Sequence, residues 1–149
     1  MGALIEGRPR VRSICKIISI RQPWATLIVR GVKNIENRSW ATSYRGPVLV
    51  HASLRPSVHS LTDIARQFGI DLQHVELPLG GIVGMTNIID CVDAHPSPWF
   101  EGKFGFVLDR SHELPFMPWK GSLGLRSATA ALVEASGILP GLSPWASAD

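Results

Sequence analysis

Two short segments near the N-terminus decide how this chain folds. Residues 18–25 read Ile-Ser-Ile-Arg-Gln-Pro-Trp-Ala, and residues 31–38 read Gly-Val-Lys-Asn-Ile-Glu-Asn-Arg. The β-branched run over 17–20 predicts a strand. Residues 23–30 predict a helix, because a proline opens the stretch, apolar residues recur at i, i+3 and i+4, and a glycine follows. Residues 33–38 then predict a second strand, so this region reads as strand, helix, strand.

The rest of the chain alternates strand patterns with turns rich in glycine and proline. It predicts strands at 48–50, 82–89 and 104–108, a helix opened by Pro56 and closed by Gly69, loops over 70–80 and 94–102, an extended edge segment over 114–119, and a last helix that Ser127 caps and that runs to Ala135. Gly84, inside a strand, indicates a bulge or a tight bend. We therefore expect an α+β fold, a small mixed β-barrel with two or three flanking helices.

The length of 149 residues predicts one domain, and 45% hydrophobic residues can bury a core. Residues 5–8, Ile-Glu-Gly-Arg, spell the recognition sequence of a processing protease, of the kind added for expression. We interpret residues 1–13 as such an added or disordered segment. The domain is expected over residues 14–137, and a flexible tail over 138–149.

Cys15 and Cys91 are too few for a disulfide scaffold, which favours a reducing, cytoplasmic location. No apolar run approaches the ~20 residues that span a bilayer, so no membrane association is expected. The five histidines lack metal-ligand spacing, and no phosphate-binding glycine motif is present. We therefore expect no metal and no cofactor, and the sequence indicates no obligate protein partner.

The charge of the chain is divided unequally along its length. The segment from Lys16 to Arg55 carries +6, whereas the residues from Pro56 onward sum to −5. Two tryptophans and the only tyrosine lie in the basic segment. Cations interleaved with aromatic rings are what single-stranded nucleic acids require, because cations bind phosphates and rings stack on bases. A solvated basic face with core aromatics is the alternative interpretation.

The two opening segments resemble the ASCH domain family of the PUA-like superfamily. Gly31, Lys33 and Glu36 match the G-x-K-x-x-E motif of that family. The similarity continues, in order, through residues 44–53, 81–84, 97–100 and 120–124, so it covers roughly 14–126. The motif alone matches by chance, but the ordered set is specific.

The resemblance implies a PUA-like β-barrel with a cleft beside the first helix, and an association with RNA. Known activities of the family include RNA binding, cleavage of single-stranded RNA, and removal of an acyl group from a modified cytidine. The last activity uses a threonine nucleophile three residues after the motif lysine in the relatives that it resembles. Glu36 occupies that position here, which argues against a threonine mechanism.

Four residues are the candidates for catalysis. Lys33 would hold a phosphate or oxyanion and Glu36 would accept a proton, while Tyr44 and His51 would act as acid or base. An ordinary salt bridge, a stacking ring and a hydrogen-bonded structural histidine are the respective alternatives. Candidates for binding RNA or a substrate are Arg21, Gln22, Trp24, Arg38, Arg45, Ser53, Trp99, Lys103, Lys120 and Ser122.

The leading hypothesis is a cytoplasmic protein that binds single-stranded RNA in one basic cleft, with metal-independent ribonuclease activity as a further step. One alternative is an amidohydrolase that removes an acyl group from a nucleoside resembling N4-acetylcytidine. The other alternative is an RNA-binding module without catalysis. The sequence alone does not distinguish an enzyme from a binding module.

Overall fold

The computed structural model describes residues 15–137, so the predictions for residues 1–13 and 138–149 lie outside the described residues. One mixed sheet of six strands, in the order β2-β5-β4-β3-β1-β6, forms a curled half-barrel. The elements are β1 (Lys16–Ile20), α1 (Trp24–Val29), β2 (Ile35–Arg38), β3 (Gly46–Ala52), α2 (Leu61–Phe68), β4 (Gly81–Val92), β5 (Phe104–Pro118), β6 (Leu125–Ser127) and α3 (Ala130–Ala135). The predicted α+β barrel-like fold is confirmed.

The pairing of the strands is antiparallel except between β1 and β3, which are parallel. This parallel pair follows from the crossover through α1 and β2. It sets Ser19 directly opposite His51. The two chemical groups therefore reach the same part of the sheet although they are far apart in sequence.

Both faces of the sheet are covered, and the side chains alternate between them with a period of two. Ile18 and Val50 join the main core beneath α1, together with Phe106 of β5. Ile17 and Leu49 point to the opposite face, where a second core lies against α3. No helix in the range 15–137 has the length and the apolar character needed to cross a bilayer.

Helix α2 packs against α1 through a satellite cluster centred on Leu27, Ile64 and Leu72. The helix begins at Leu61 rather than near Pro56, because Ser60 caps it by accepting the backbone N–H of Asp63 at 3.1 Å. It ends at Gly69, which has a left-handed φ of 66°.

Two predictions about the C-terminal half were wrong. Residues 104–108 and 114–118 are not separate pieces but belong to one continuous strand, β5, whose proline positions are tolerated beside irregularities in the β4–β5 register. Ser127 ends β6 and does not cap the last helix; Thr129 does, by accepting the N–H of Leu132 at 3.1 Å. The bulge predicted at Gly84 is confirmed by a register shift between Ile82 and Gly84.

Candidate functional site

The G-x-K-x-x-E segment runs from the end of α1 into the edge strand β2, and both chemical groups of the motif are buried. The exposed fraction is 5% for Lys33 and 8% for Glu36. Glu36 lies opposite Phe106 in the β2–β5 ladder. Charged residues are almost never buried unless they are paired, so the partners of these two groups have to be identified.

Both groups line a cavity of about 180 Å³, here called the motif pocket, between β2, α2 and the loop 94–102. Aromatic side chains form much of its wall. Trp99 stacks on Phe68 with 4.1 Å between ring centroids, and Trp24 meets both rings edge-on. The complete lining is Trp24, Lys33, Glu36, Asn37, His59, Ile64, Gln67, Phe68, Trp99 and Glu101.

The Lys33 ammonium group is held against aromatic rings. Its Nζ lies 5.7 Å from the ring centroid of Trp24 and 5.9 Å from that of Trp99, and it donates a hydrogen bond to the Ile35 carbonyl. Burial lowers the pKa of Lys33, whereas the charges of Glu36 and Glu101 act in the opposite direction. The pocket therefore contains a weakly hydrated amine whose neutral form is more accessible than that of a surface lysine.

The ion pair of Glu36 is with Arg38 rather than with Lys33 in the described part of the chain. Arg38 Nε lies 2.8 Å from Glu36 Oε2, and the same guanidinium donates to the Ser19 carbonyl at 2.8 Å. Glu36 is thus fixed in the wall of the pocket by a partly buried partner. Arg38 also connects β2 to β1.

Two asparagines of the motif segment fasten the loop that carries Trp99. Asn37 donates to the Trp99 carbonyl and accepts the N–H of Glu101, both at 2.9 Å. Asn34 accepts the hydroxyl of Ser97 at 2.8 Å. The motif therefore positions the aromatic wall as well as supplying the charged groups.

A second cavity, here called the histidine pocket, is lined by four more of the predicted residues: His51, Ser53, Lys120 and Ser122. Its volume is about 370 Å³. His51 is 2% exposed and contacts Ser19 and the Trp119 carbonyl through its two ring nitrogens. The lining is Ser19, His51, Ser53, Leu54, Gly80, Trp119, Lys120, Gly121, Ser122 and Leu123.

Arg45 lies elsewhere, in a third cavity beside Cys91 and Phe104, and is 3.6 Å from Asp90. The neighbouring Tyr44 hydroxyl donates to the Pro47 carbonyl at 2.8 Å. Burial raises the pKa of Tyr44 to about 12. The four predicted catalytic residues are therefore not gathered in one pocket: Lys33 and Glu36 share the motif pocket, and the other two lie outside its lining.

Of the other predicted binding residues, Gln22 is used inside the fold. Its amide donates to Thr26 Oγ1 and to the Pro78 carbonyl, and accepts the N–H of Thr26, so the side chain joins α1 to the loop 70–80. Arg21 and Lys103 are exposed and stand outside the linings of the three cavities. Within residues 15–137, no three His, Cys, Asp or Glu side chains converge as a metal site would need.

The comparison with protein families decides the classification. The ASCH domain model matches residues 18–119. The chain belongs to the ASCH domain family. The resemblance drawn from the two opening segments is thereby confirmed, and the motif pocket is a feature of an ASCH domain.

Activating signal cointegrator 1 of Homo sapiens and that of Mus musculus are similar to this ASCH domain, with 35% and 36% identity over 81 residues. The match covers 50% of this chain but 14% of each relative. A crystal structure of ASCH from Zymomonas mobilis has a TM-score of 0.50 at 14% identity and covers 80% of this chain and 91% of that one. A variant of the same protein reaches 0.52 at 13% identity, over 83% and 94%.

Several residues of these pockets were not predicted from the sequence. Asn34 lies inside the motif and Asn37 directly follows it, but an asparagine just before a strand, as Asn34 is, is also an ordinary turn residue. Phe68 follows the helical spacing of the apolar residues between Pro56 and Gly69, which predicts a helix and not a pocket. Ser19 alternates with isoleucines in a strand, a pattern that predicts a half-exposed position and nothing more.

Proposed function

We propose that this ASCH domain binds single-stranded RNA and that one base of the strand enters the motif pocket. The observation that supports the proposal is the aromatic wall around a buried cation, formed by Trp24, Trp99 and Lys33. Single-stranded RNA is recognised by stacking unpaired bases on aromatic rings and by hydrogen bonds to their edges. Lys33 and Glu36 supply one donor and one acceptor for such an edge.

The dimensions of the pocket favour one base over a longer segment. Its volume of about 180 Å³ lies beneath the loop 94–102, so neighbouring nucleotides would remain at the surface. Arg21 precedes α1 closely and Lys103 follows Glu101 closely; both are exposed. These cations are the candidates for phosphate contacts, which position a strand without reading its sequence.

Cleavage of the RNA is not part of the proposal. A metal-independent ribonuclease needs a base, a cation and an acid around one phosphate. Tyr44 and His51, predicted to share these roles with Lys33 and Glu36, lie outside the lining of the motif pocket. The hydroxyl of Tyr44 is also committed to the Pro47 carbonyl.

A second candidate function is hydrolysis of an acylated nucleoside. It is favoured by one observation, the buried lysine of lowered pKa beside a fixed carboxylate in a confined cavity. Perturbed pKa values of this kind are enriched at active sites. Lys33 in its neutral form would take a proton from the attacking water, and Glu36 would orient that water.

Two measurements test these functions. Fluorescence anisotropy with a labelled single-stranded RNA is expected to show salt-dependent binding, and Trp99→Ala is expected to weaken it about tenfold to a hundredfold, since stacking contributes ~1–3 kcal/mol per base. Trp99→Phe, which keeps a ring, should retain most of the affinity. Equal affinity of wild type and Trp99→Ala would overturn the proposal.

The second measurement follows the release of cytidine from N4-acetylcytidine by chromatography. Release of cytidine that is lost in Glu36→Gln would support the hydrolase function. Intact N4-acetylcytidine after prolonged incubation with the wild type would exclude it. The RNA-binding proposal is unaffected by either result, because binding is measured separately.

A further inference from the structure

The histidine pocket holds a serine and a histidine in the arrangement of a nucleophile and its base. Ser19 Oγ lies 3.0 Å from His51 Nδ1, and the other ring nitrogen, Nε2, lies 2.7 Å from the Trp119 carbonyl oxygen. The two residues are direct neighbours across the parallel β1–β3 pair, so rigid strands fix the distance between them.

These contacts determine which nitrogen carries the proton. A carbonyl oxygen can only accept a hydrogen bond, so Nε2 must donate to Trp119, and the lone pair of neutral His51 is then on Nδ1. Nδ1 therefore accepts the hydroxyl proton of Ser19. The Trp119 carbonyl takes the position of the third, orienting member of a catalytic triad.

The surrounding groups suit a reaction at Ser19. The backbone N–H of Ser122 donates to Ser19 Oγ at 3.2 Å, which places a donor beside the attacking oxygen, and Lys120 adds a positive charge to the same lining. The backbone at Gly121 passes close to both side chains because glycine has no Cβ. A Cβ there would lie 2.7 Å from His51 Cε1 and 2.9 Å from Ser19 Oγ.

The walls indicate the chemistry of the substrate. Leu54 and Leu123 line the cavity and are 76% and 83% exposed, so they offer apolar surface to a bound molecule. None of the lining residues is shared with the motif pocket. We infer that Ser19 and His51 form a second, esterase-type site for an ester with a short apolar acyl group.

The reaction needs water as its only co-reactant. Ser19 Oγ forms a bond to the carbonyl carbon while its proton passes to His51 Nδ1, and the intermediate then breaks its bond to the alcohol, which leaves with that proton. Water attacks the acyl-serine, with His51 again accepting the proton. The carboxylic acid is released and Ser19 recovers its hydroxyl, so one ester and one water give one acid and one alcohol.

The test uses a fluorophosphonate probe, which phosphonylates an activated serine and releases fluoride, and p-nitrophenyl butyrate as the ester. With the full chain, we expect a mass adduct on the peptide that contains Ser19, and turnover of the ester that the probe blocks. Ser19→Ala should abolish both. His51→Gln should slow labelling at least a hundredfold, the lower range of general-base catalysis.

Ser127→Ala is the matched control, since Ser127 is an exposed serine of β6 outside the pocket. This variant should be labelled on Ser19 at the wild-type rate. Gly121→Ala keeps both chemical groups but crowds them, and should slow labelling at least tenfold even if His51→Gln fails to fold. An unlabelled wild type, or unchanged labelling in Ser19→Ala, would overturn the inference. RNA binding by Ser19→Ala should remain at the wild-type level, which separates this site from the proposed function.

Discussion

Lys33 carries a buried charge, and its burial bears on the stability of the fold. The residue is buried, with only 5% of its surface accessible to solvent. A backbone carbonyl and two indole rings replace part of its hydration. Burying a charge in this way is costly even when partners are present.

Replacing Lys33 with methionine should therefore leave the fold intact and raise its stability. We expect Lys33→Met to increase the free energy of unfolding at pH 7 by about 1 kcal/mol, because apolar replacement of buried charges is often stabilising. Urea unfolding monitored by circular dichroism measures this change. A loss of more than about 2 kcal/mol would mean that the charge is a structural requirement.

At the scale of elements, the loop 94–102 depends on the motif strand for its position. Asn37 makes two hydrogen bonds to the backbone of Trp99 and Glu101, and Trp99 in turn stacks on α2. Asn37 thus links β2 to the loop, and Trp99 links the loop to α2. The order of this loop should therefore depend on the two hydrogen bonds of Asn37.

Asn37→Ala should loosen the loop locally while the sheet stays folded. Two hydrogen bonds of about 0.5–1.5 kcal/mol each are lost, one to the half-buried Trp99 carbonyl and one from the exposed Glu101 N–H. We therefore expect the local opening free energy over residues 97–101 to fall by about 1–3 kcal/mol. Hydrogen exchange detected by mass spectrometry measures it. Asn87→Ala, which removes a hydrogen bond to Asp109 at 3.2 Å, is the control and should leave this loop unchanged.

The bulge at Gly84 gives an element-scale test of the sheet. A Cβ there would press on the His112 carbonyl oxygen and lie 2.6 Å from Val29 Cγ1, where neither backbone nor core yields easily. Gly84→Ala should cost about 3 kcal/mol of stability. Gly124→Ala is in open space and carries only the strain of a positive φ, so it should cost about 1 kcal/mol. Equal losses in chemical denaturation would contradict this packing.

The sequence predicts the elements well where local chemistry is sufficient. The helical spacing of apolar residues and Gly69 predict α2 and its end, and Gly84 predicts the bulge in β4. The sequence-based prediction fails where tertiary pairing overrides local signals. The prolines predict separate pieces between residues 104 and 118, whereas pairing with β4 makes these residues one strand. The site is predicted only in part. The sequence predicts one basic cleft, whereas the strand order distributes its residues among separate cavities.

For the whole molecule, buried acids predict a loss of stability in alkaline solution. Burial raises the pKa of Cys15 from 9.0 to about 11 and that of Tyr44 from 10.0 to about 12. Between each pair of values the unfolded chain is ionised while the native group keeps its proton. The native state then binds more protons, so stability falls as the pH rises.

Each group should contribute up to about 1.4 kcal/mol per pH unit within its interval. Cys15→Ala should therefore flatten the decline between pH 9 and 11, whatever its effect at pH 7. The lowered pKa of Lys33 acts in the opposite sense, since its burial penalty disappears as the amine loses its proton. Denaturation series at stepped pH values test this, and parallel curves for wild type and Cys15→Ala would contradict it.

The charge asymmetry of the molecule also gains a more specific meaning. The basic segment contributes Lys33 to the motif pocket and Arg38 as the ion-pair partner of Glu36. By contrast, Arg30 pairs with Glu113 and Arg45 lies near Asp90. Binding of RNA should thus depend on particular cations more than on the total charge.

The most direct test compares two lysine variants in one titration with labelled single-stranded RNA. Lys33→Met removes the cation of the motif pocket, and Lys16→Met removes a cation that also lies over an aromatic ring, 5.4 Å from the centroid of Tyr44, but outside that pocket. We predict at least a tenfold loss of affinity for Lys33→Met and less than a twofold change for Lys16→Met, with both variants folded. Equal affinities of the two variants would contradict binding of RNA in the motif pocket.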